Sequence, residues 1–256
     1  MSPSMSLPPA MVQRAREFTG PPAPARPAAT VVLLNPENLQ VYVLKRASTM
    51  VFAGVHAFPG GRVDPGDHPE TIRLDWAQRL GVPDEQARAV VGAAVRELFE
   101  EAGVLLAGPV HEPDRTVADV SGPGWEADRV ALVNRELSLH ELLTRRGLRL
   151  RDDLLLPWAR WITPEFEPKR FDTWFFVALL PEAQSARDVS GEAEGTAWVD
   201  PGDVGGLTML PPTRVTLGEL GSYRKIDEVM AAQRDAAVPI MPRVELTADG
   251  GAVATF

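Results

Sequence analysis

The chain has no cysteine. Disulfides, thiolate zinc sites and cysteine nucleophiles are therefore excluded, and any metal centre must be built from oxygen or imidazole ligands. Histidine is scarce too: four residues leave little room for an imidazole-rich site. Long apolar runs are missing. No stretch approaches the roughly 18 consecutive apolar residues of a membrane-spanning helix, and the N-terminal segment lacks the apolar core of a secretory signal. The expectation is a soluble cytoplasmic location with no membrane partner. An excess of positive charge is also missing, and a net charge of -9 argues against a nucleic-acid partner while allowing a local basic patch for an anionic small molecule.

What is present fits one globular domain with insertions: 256 residues, 45% hydrophobic and 24% charged. Residues 1–29 carry Pro8, Pro9, Pro21, Pro22, Pro24 and Pro27, which block helix and ladder hydrogen bonds, so this segment reads as a mobile leader. The domain then covers residues 30–256. Thr30–Leu34 and Gln40–Lys45, joined by Asn35-Pro36-Glu37-Asn38, read as a hairpin. Val55–Phe58 is stopped by Pro59-Gly60-Gly61, where glycines permit a tight backbone path. Helical patterns follow at Pro69–Leu80, Asp84–Ala102 and Glu126–Arg146, with strands at Leu154–Ile162, Phe171–Leu180 and Thr196–Val199. Pro211-Pro212-Thr213 opens another helix, and Tyr223–Arg234 reads as a last one.

The Asp84–Ala102 helix carries the chemical signal. Val91, Ala94, Val95, Leu98 and Ala102 form a core-facing stripe, and Glu97, Glu100 and Glu101 stand together at i, i+3 and i+4 beside it. Such carboxylates repel one another and crowd the negative end of the helix dipole. A divalent cation reverses both penalties, and magnesium, which takes hard oxygen ligands and completes its shell with water and phosphate oxygens, suits the set. A purely structural alternative is a solvated acidic face with Arg96 paired to Glu100 at i+4.

The order of residues here resembles the Nudix family, whose signature is GX5EX7REUXEEXGU with U a bulky aliphatic residue. Arg96-Glu97-Leu98-Phe99-Glu100-Glu101-Ala102-Gly103-Val104 satisfies every specified position of its second half. Five fixed residues at roughly 7% each, with two bulky aliphatic positions at roughly a quarter each, coincide about once in ten million windows, so chance is a poor explanation. In the first half Gly61 is followed after five residues by Asp67 in place of Glu, and an insertion then separates Asp67 from Arg96. The resemblance implies a Nudix α/β/α sandwich, an α+β fold with a mixed central sheet, with inserted cap segments at about 68–88 and 108–150. It also implies a magnesium-dependent diphosphatase, a hydrolase acting on acid anhydrides, with manganese as the alternative ion. Carried over, Glu97, Glu100 and Glu101 are metal ligands, Arg96 orients them, Glu97 also helps orient or deprotonate water, and the Gly60 carbonyl adds a ligand. A further acidic ligand is expected before Trp198, Glu192 being preferred to Glu194.

Two stretches bear on the substrate, a nucleotide-type small molecule. Gly54-Val55-His56-Ala57-Phe58-Pro59-Gly60-Gly61, downstream of Leu44-Lys45-Arg46-Ala47, resembles a motif of coenzyme A diphosphatases, although Ser48–Ala53 contains no Arg. Leu156–Pro164 with Lys169-Arg170-Phe171-Asp172-Thr173 resembles the branch of peroxisomal acyl-coenzyme A diphosphatases, whose box is also interrupted. Arg46, Arg62, Lys169 and Arg170 are candidate phosphate clamps, because guanidinium forks match phosphate oxygens. Trp158, Trp161, Trp174, Phe175 and Phe176 read as packing residues, and His56 as a hydrogen-bonded strand residue. ADP-ribose, nucleotide sugars and dinucleotides are alternative substrates, and a catalytically idle ligand-sensing module is the alternative of another class. A homodimer is compatible with the sequence.

Overall fold

The computed structural model describes residues 4–47, 54–191, 193–247 and 251–256. In chain order the elements are β1 (Ser4–Ser6), α1 (Pro9–Glu17), β2 (Ala25–Leu34), β3 (Val41–Arg46), β4 (His56–Ala57), β5 (Gly60–Arg62), α2 (Trp76–Leu80) and α3 (Asp84–Ala102). They continue with β6 (Ala107–Pro109), α4 (Pro123–Val133), α5 (Leu139–Arg146), β7 (Leu148–Leu150), β8 (Leu156–Ile162), β9 (Arg170–Leu179) and β10 (Ala193–Val199). The last are α6 (Pro211–Leu220), α7 (Ile226–Met230), β11 (Pro239–Ile240), β12 (Arg243–Leu246) and β13 (Ala252–Thr255).

The main sheet runs β10-β3-β2-β9-β8-β11, with β4 on β3 and β5 on β2. It is mixed: β2 runs parallel to β9 over its whole length, whereas β2–β3 and β8–β9 are antiparallel. Both faces are covered, which explains why Val31–Leu34 is a continuous apolar run without a polar alternate. Ala29, Val31 and Leu33 pack with Tyr42, Trp174, Phe176 and the body of α3. Val32 and Leu34 pack on the other side with Val43, Phe175, Val177, Leu217 and Leu220 of α6, and Val229 of α7. This is the expected α/β/α sandwich. Trp158, Trp161, Trp174, Phe175 and Phe176 are all buried, as packing residues should be. Among the described residues no helix is long and apolar enough to cross a membrane.

The hairpin is closed by Asn35, whose amide donates to the Gln40 carbonyl at 2.8 Å and whose Oδ1 accepts from the Glu37 amide. Beyond the Leu34–Val41 pair, β5 takes the edge of β2 and β4 the edge of β3, so the Pro59-Gly60-Gly61 turn sits in the fork. Glycine is required there twice. A Cβ on Gly60 would stand 2.6 Å from the Ala29 carbonyl oxygen, and one on Gly61 would stand 2.5 Å from Glu97 Oε1.

Several expectations are corrected. Residues 4–29, read as a mobile leader, form β1, α1 and the first half of β2. Pro9 begins a helix, where a missing amide hydrogen costs nothing, and β1 pairs with β13 far along the chain. The Pro69–Leu80 pattern is helical only at Trp76–Leu80, and this insertion, expected as a cap segment, packs into the core: Trp76 is fully buried, edge-on to Phe176, its Nε1 donating to Asp152 at 2.7 Å. The Glu126–Arg146 helix is two helices, since the chain turns at Arg135 and restarts at Ser138, where Ser138 and Glu141 make a capping box. Tyr223–Arg234 contracts to the single turn of α7.

Candidate active site

Helix α3 delivers the acidic residues. Asp84 and Glu85 in its first turn complement the dipole, and Gly103, in the left-handed region at φ 66°, ends it by donating to the Phe99 carbonyl. The C-terminal half is buried nearly all round, because α4 and the loop after β5 cover the side away from the sheet. Gly92 admits that loop: a Cβ there would stand 2.5 Å from the Asp67 carbonyl oxygen.

Arg96 organises the centre and is 2% exposed. Its Nε and Nη2 grip the two oxygens of Asp67 at 2.7 and 2.9 Å, Nη1 donates to Glu97 at 2.7 Å and Glu100 at 3.1 Å, and Nη2 also reaches the Arg62 carbonyl at 2.8 Å. Burial opposes its charge, but the hydrogen bonds to Asp67 and the charges of Glu97, Asp67 and Glu100 prevail and hold the guanidinium protonated. The box insertion therefore leaves intact the link between Asp67 and Arg96. Glu101 turns the other way and accepts from the Gly60 amide at 2.8 Å, tying the helix end to the glycine turn. Burial raises the Glu97 carboxyl from its ordinary 4.5 to about 7; Arg96 opposes the rise and Glu100 adds to it.

The cap contributes two guanidinium groups that sequence reasoning missed. Arg129 donates to the Glu100 carbonyl at 2.7 Å, serving one of the carbonyls left unpaired at the end of α3. Arg135 reaches Glu100 and Asp64. Asp64 was also missed; its Oδ2 is buried and makes ion-pair contacts but no aligned hydrogen bond. Its position three residues after Gly61 was the available signal.

Asp64, Asp67, Glu97 and Glu100 thus stand against Arg96 and Arg135, four carboxylates against two guanidinium groups in a largely buried cluster, with Glu101 beside it on the Gly60 amide. Such an imbalance favours a multiply charged cation. Among the described residues no three acidic or imidazole side chains converge closely enough to cage an ion alone. The donor set is nevertheless one of hard oxygens, the kind a hard divalent cation takes: the carboxylates of Glu97 and Glu100, and an Asp64 Oδ2 that has ion-pair contacts but no aligned hydrogen bond.

The remaining predicted residues separate into groups. Arg46, on the same face of β3 as Leu44, lines a small cleft with Phe58, Gly60 and Glu101. Arg62 is exposed beside this turn, its carbonyl serving Arg96. Arg170 lies opposite Ala25 whereas Gly60 lies opposite Thr30, about 17 Å along β2. Its guanidinium is engaged by the Thr163 and Ala23 carbonyls, and Lys169 beside it is exposed. The structure does not bring these two to the carboxylates. Glu194 pairs with Lys45 at 3.4 Å, and Glu192 lies outside the described residues. His56, expected to be hydrogen-bonded, has a buried Nδ1 without a partner among the described residues.

No protein-family model matches the chain. It is 29% identical over 196 residues to a nudix hydrolase of Caenorhabditis elegans, covering 74% of this chain and 58% of that protein. It is 25% identical over 266 residues to the human acyl-coenzyme A diphosphatase NUDT19, covering 84% of this chain and 70% of that protein. This chain thus spans less than two thirds of the nematode relative. Among solved structures, a NUDIX hydrolase from Alicyclobacillus acidocaldarius superposes with a TM-score of 0.64 at 27% identity, covering 83% of this chain and 98% of that one. Sequence likeness and fold likeness thus converge on Nudix hydrolases, the same group that the residues around Arg96 resemble.

Proposed function

We propose that the chain is a divalent-ion-dependent diphosphatase that hydrolyses the diphosphate linkage of a nucleotide-type substrate, coenzyme A or an acyl-coenzyme A. The observation that carries this reading is the excess of buried carboxylate at the end of α3, closed onto the Gly60-Gly61 turn by the Glu101 hydrogen bond. Glu97, Glu100 and Glu101 would hold magnesium, with the Gly60 carbonyl as a further ligand. When bound, the ion supplies Lewis-acid neutralisation of the phosphate oxygens. Arg96 fixes the directions of Glu97 and Glu100. Glu97, buried and raised to about 7, is suited to take the proton of the attacking water. Arg46 and Arg62, from the strands on either side of the turn, would hold the phosphates. The choice of coenzyme A is supported by the Gly54–Gly61 motif and by the name of the human relative.

Incubating the purified chain with coenzyme A, acyl-coenzyme A, NADH and ADP-ribose, with magnesium or with a chelator, tests the reading. Cleavage of the coenzyme A substrates at the diphosphate is expected, dependent on magnesium and reduced at least about a hundredfold in Glu100→Gln, or roughly 2.7 kcal/mol of barrier. Near-wild-type turnover by that variant, or tight binding without cleavage of any substrate, contradicts it.

A further inference from the structure

The helical insertion between β6 and β7 sends one side chain back to the carboxylates, and sends it from a strained position. Helix α4 closes with two reversed hydrogen bonds, the Arg135 amide to the Leu132 carbonyl at 2.9 Å and the Glu136 amide to the Ala131 carbonyl at 2.8 Å. This puts Arg135 in the left-handed region at φ 63°, at the position after a helix cap that glycine usually fills. A side chain there crowds its own backbone, so a long arginine at such a site points to a use for the guanidinium.

The contacts indicate the use. Arg135 Nε lies 2.6 Å from Asp64 Oδ2, and Nη1 lies 3.2 and 3.3 Å from the two oxygens of Glu100, while half of the side chain remains exposed. Arg96, by contrast, is enclosed and occupied by protein acceptors on every nitrogen. Of these two guanidinium groups, Arg135 is the one that touches the carboxylates and also meets solvent, where an anionic substrate arrives. It holds both oxygens of Glu100, the atoms a divalent ion would need, and a guanidinium so close to a doubly charged ion is repelled.

We propose that Arg135 is a substrate-positioning residue that exchanges partners: it competes with the divalent ion for Glu100 and, once displaced, donates to an oxygen of the substrate's diphosphate while Asp64 retains the arm. A guanidinium fork suits phosphate oxygens as well as it suits a carboxylate. The proposal rests on the reading of Glu97, Glu100 and Glu101 as ion ligands.

Arg135→Gly removes the guanidinium and gives the backbone the residue its conformation suits, so the relief of strain offsets part of the stability lost with the Asp64 and Glu100 ion pairs. Calorimetric titration with Mn2+ of the wild type, R135G and Glu100→Gln should show tighter binding by R135G and weaker binding by E100Q. In turnover of coenzyme A, KM of R135G should rise about tenfold, the scale of one charge-assisted hydrogen bond, by more than kcat falls, and Arg135→Lys should recover part of it. Unchanged or weaker Mn2+ affinity in R135G, or an unchanged KM, overturns the role of Arg135. A wild type that binds no Mn2+ overturns the ion site itself and the proposal with it.

Discussion

Replacing Asp67 by asparagine keeps the shape of the side chain, removes its charge and turns one of two acceptors into a donor. Asp67 is fully buried and grips Arg96 through two hydrogen bonds, at 2.7 and 2.9 Å, while its Oδ2 also accepts from the Asp64 amide at 2.7 Å. In the variant an NH2 group faces the guanidinium Nε in one orientation, or its Nη2 together with that amide in the other, donor against donor, and no flip relieves the conflict. Breaking a buried pair costs about 3–5 kcal/mol. Glu97 and Glu100 still compensate Arg96, so the lower end applies, about 3 kcal/mol. For a chain of this size each kcal/mol moves the melting temperature by roughly 2–4 °C, giving a fall of about 6–12 °C. Differential scanning calorimetry reads this directly. Because Arg96 is then free to swing, Glu97 and Glu100 lose their orientation and magnesium-dependent turnover should fall with stability. A midpoint within about 2 °C of the wild type would refute the reasoning, since it would mean that the interrupted half of the box no longer holds Arg96.

Other perturbations separate the parts of the site. Gly61→Ala drives a methyl group to within 2.5 Å of Glu97 Oε1, so turnover should fall about a hundredfold with little change in melting temperature; unaltered kinetics would show that Glu97 is not required where it stands. Arg46→Ala should raise KM about tenfold if Arg46 holds a phosphate, and an unchanged KM removes it from the site. The raised carboxyl of Glu97 predicts a pH effect in chelator: the fold favours the protonated form, so the contribution is full below about pH 4.5 and is lost as pH rises through about 7. Its size is roughly 3 kcal/mol, and magnesium should suppress it. A melting temperature indifferent to pH across that window would show that Glu97 is better solvated than its burial implies.

The parts legible in the sequence are those fixed by neighbours along the chain. Helix α3 runs from Asp84 to Ala102 as read, because Pro83 precedes it and Gly103 takes the left-handed cap. The β2–β3 hairpin follows from the Asn35-Pro36 turn and two apolar runs. What escaped depends on distant partners. Ala25–Ala29 looked like a proline-rich leader, but it pairs with Arg170–Trp174 of β9, a register no local pattern reveals. Arg135 looked like one more charge on a long helix. Its role follows from a left-handed turn and from Asp64 and Glu100 lying across the fold, although the Ser138–Glu141 capping box did mark the break before α5. The carboxylates were legible as residues and not as an arrangement: spacing put them on one face, whereas packing turns Glu97 and Glu100 towards Arg96 and Glu101 towards Gly60.

A crystal structure of the chain with magnesium and a non-hydrolysable coenzyme A analogue tests the central claim most directly. The expected result is an ion about 2.1 Å from carboxylate oxygens at the end of α3, with the analogue's diphosphate between that ion and the Gly60-Gly61 turn. An ion bound elsewhere, or a diphosphate seated away from Glu97, Glu100 and Glu101, would contradict it.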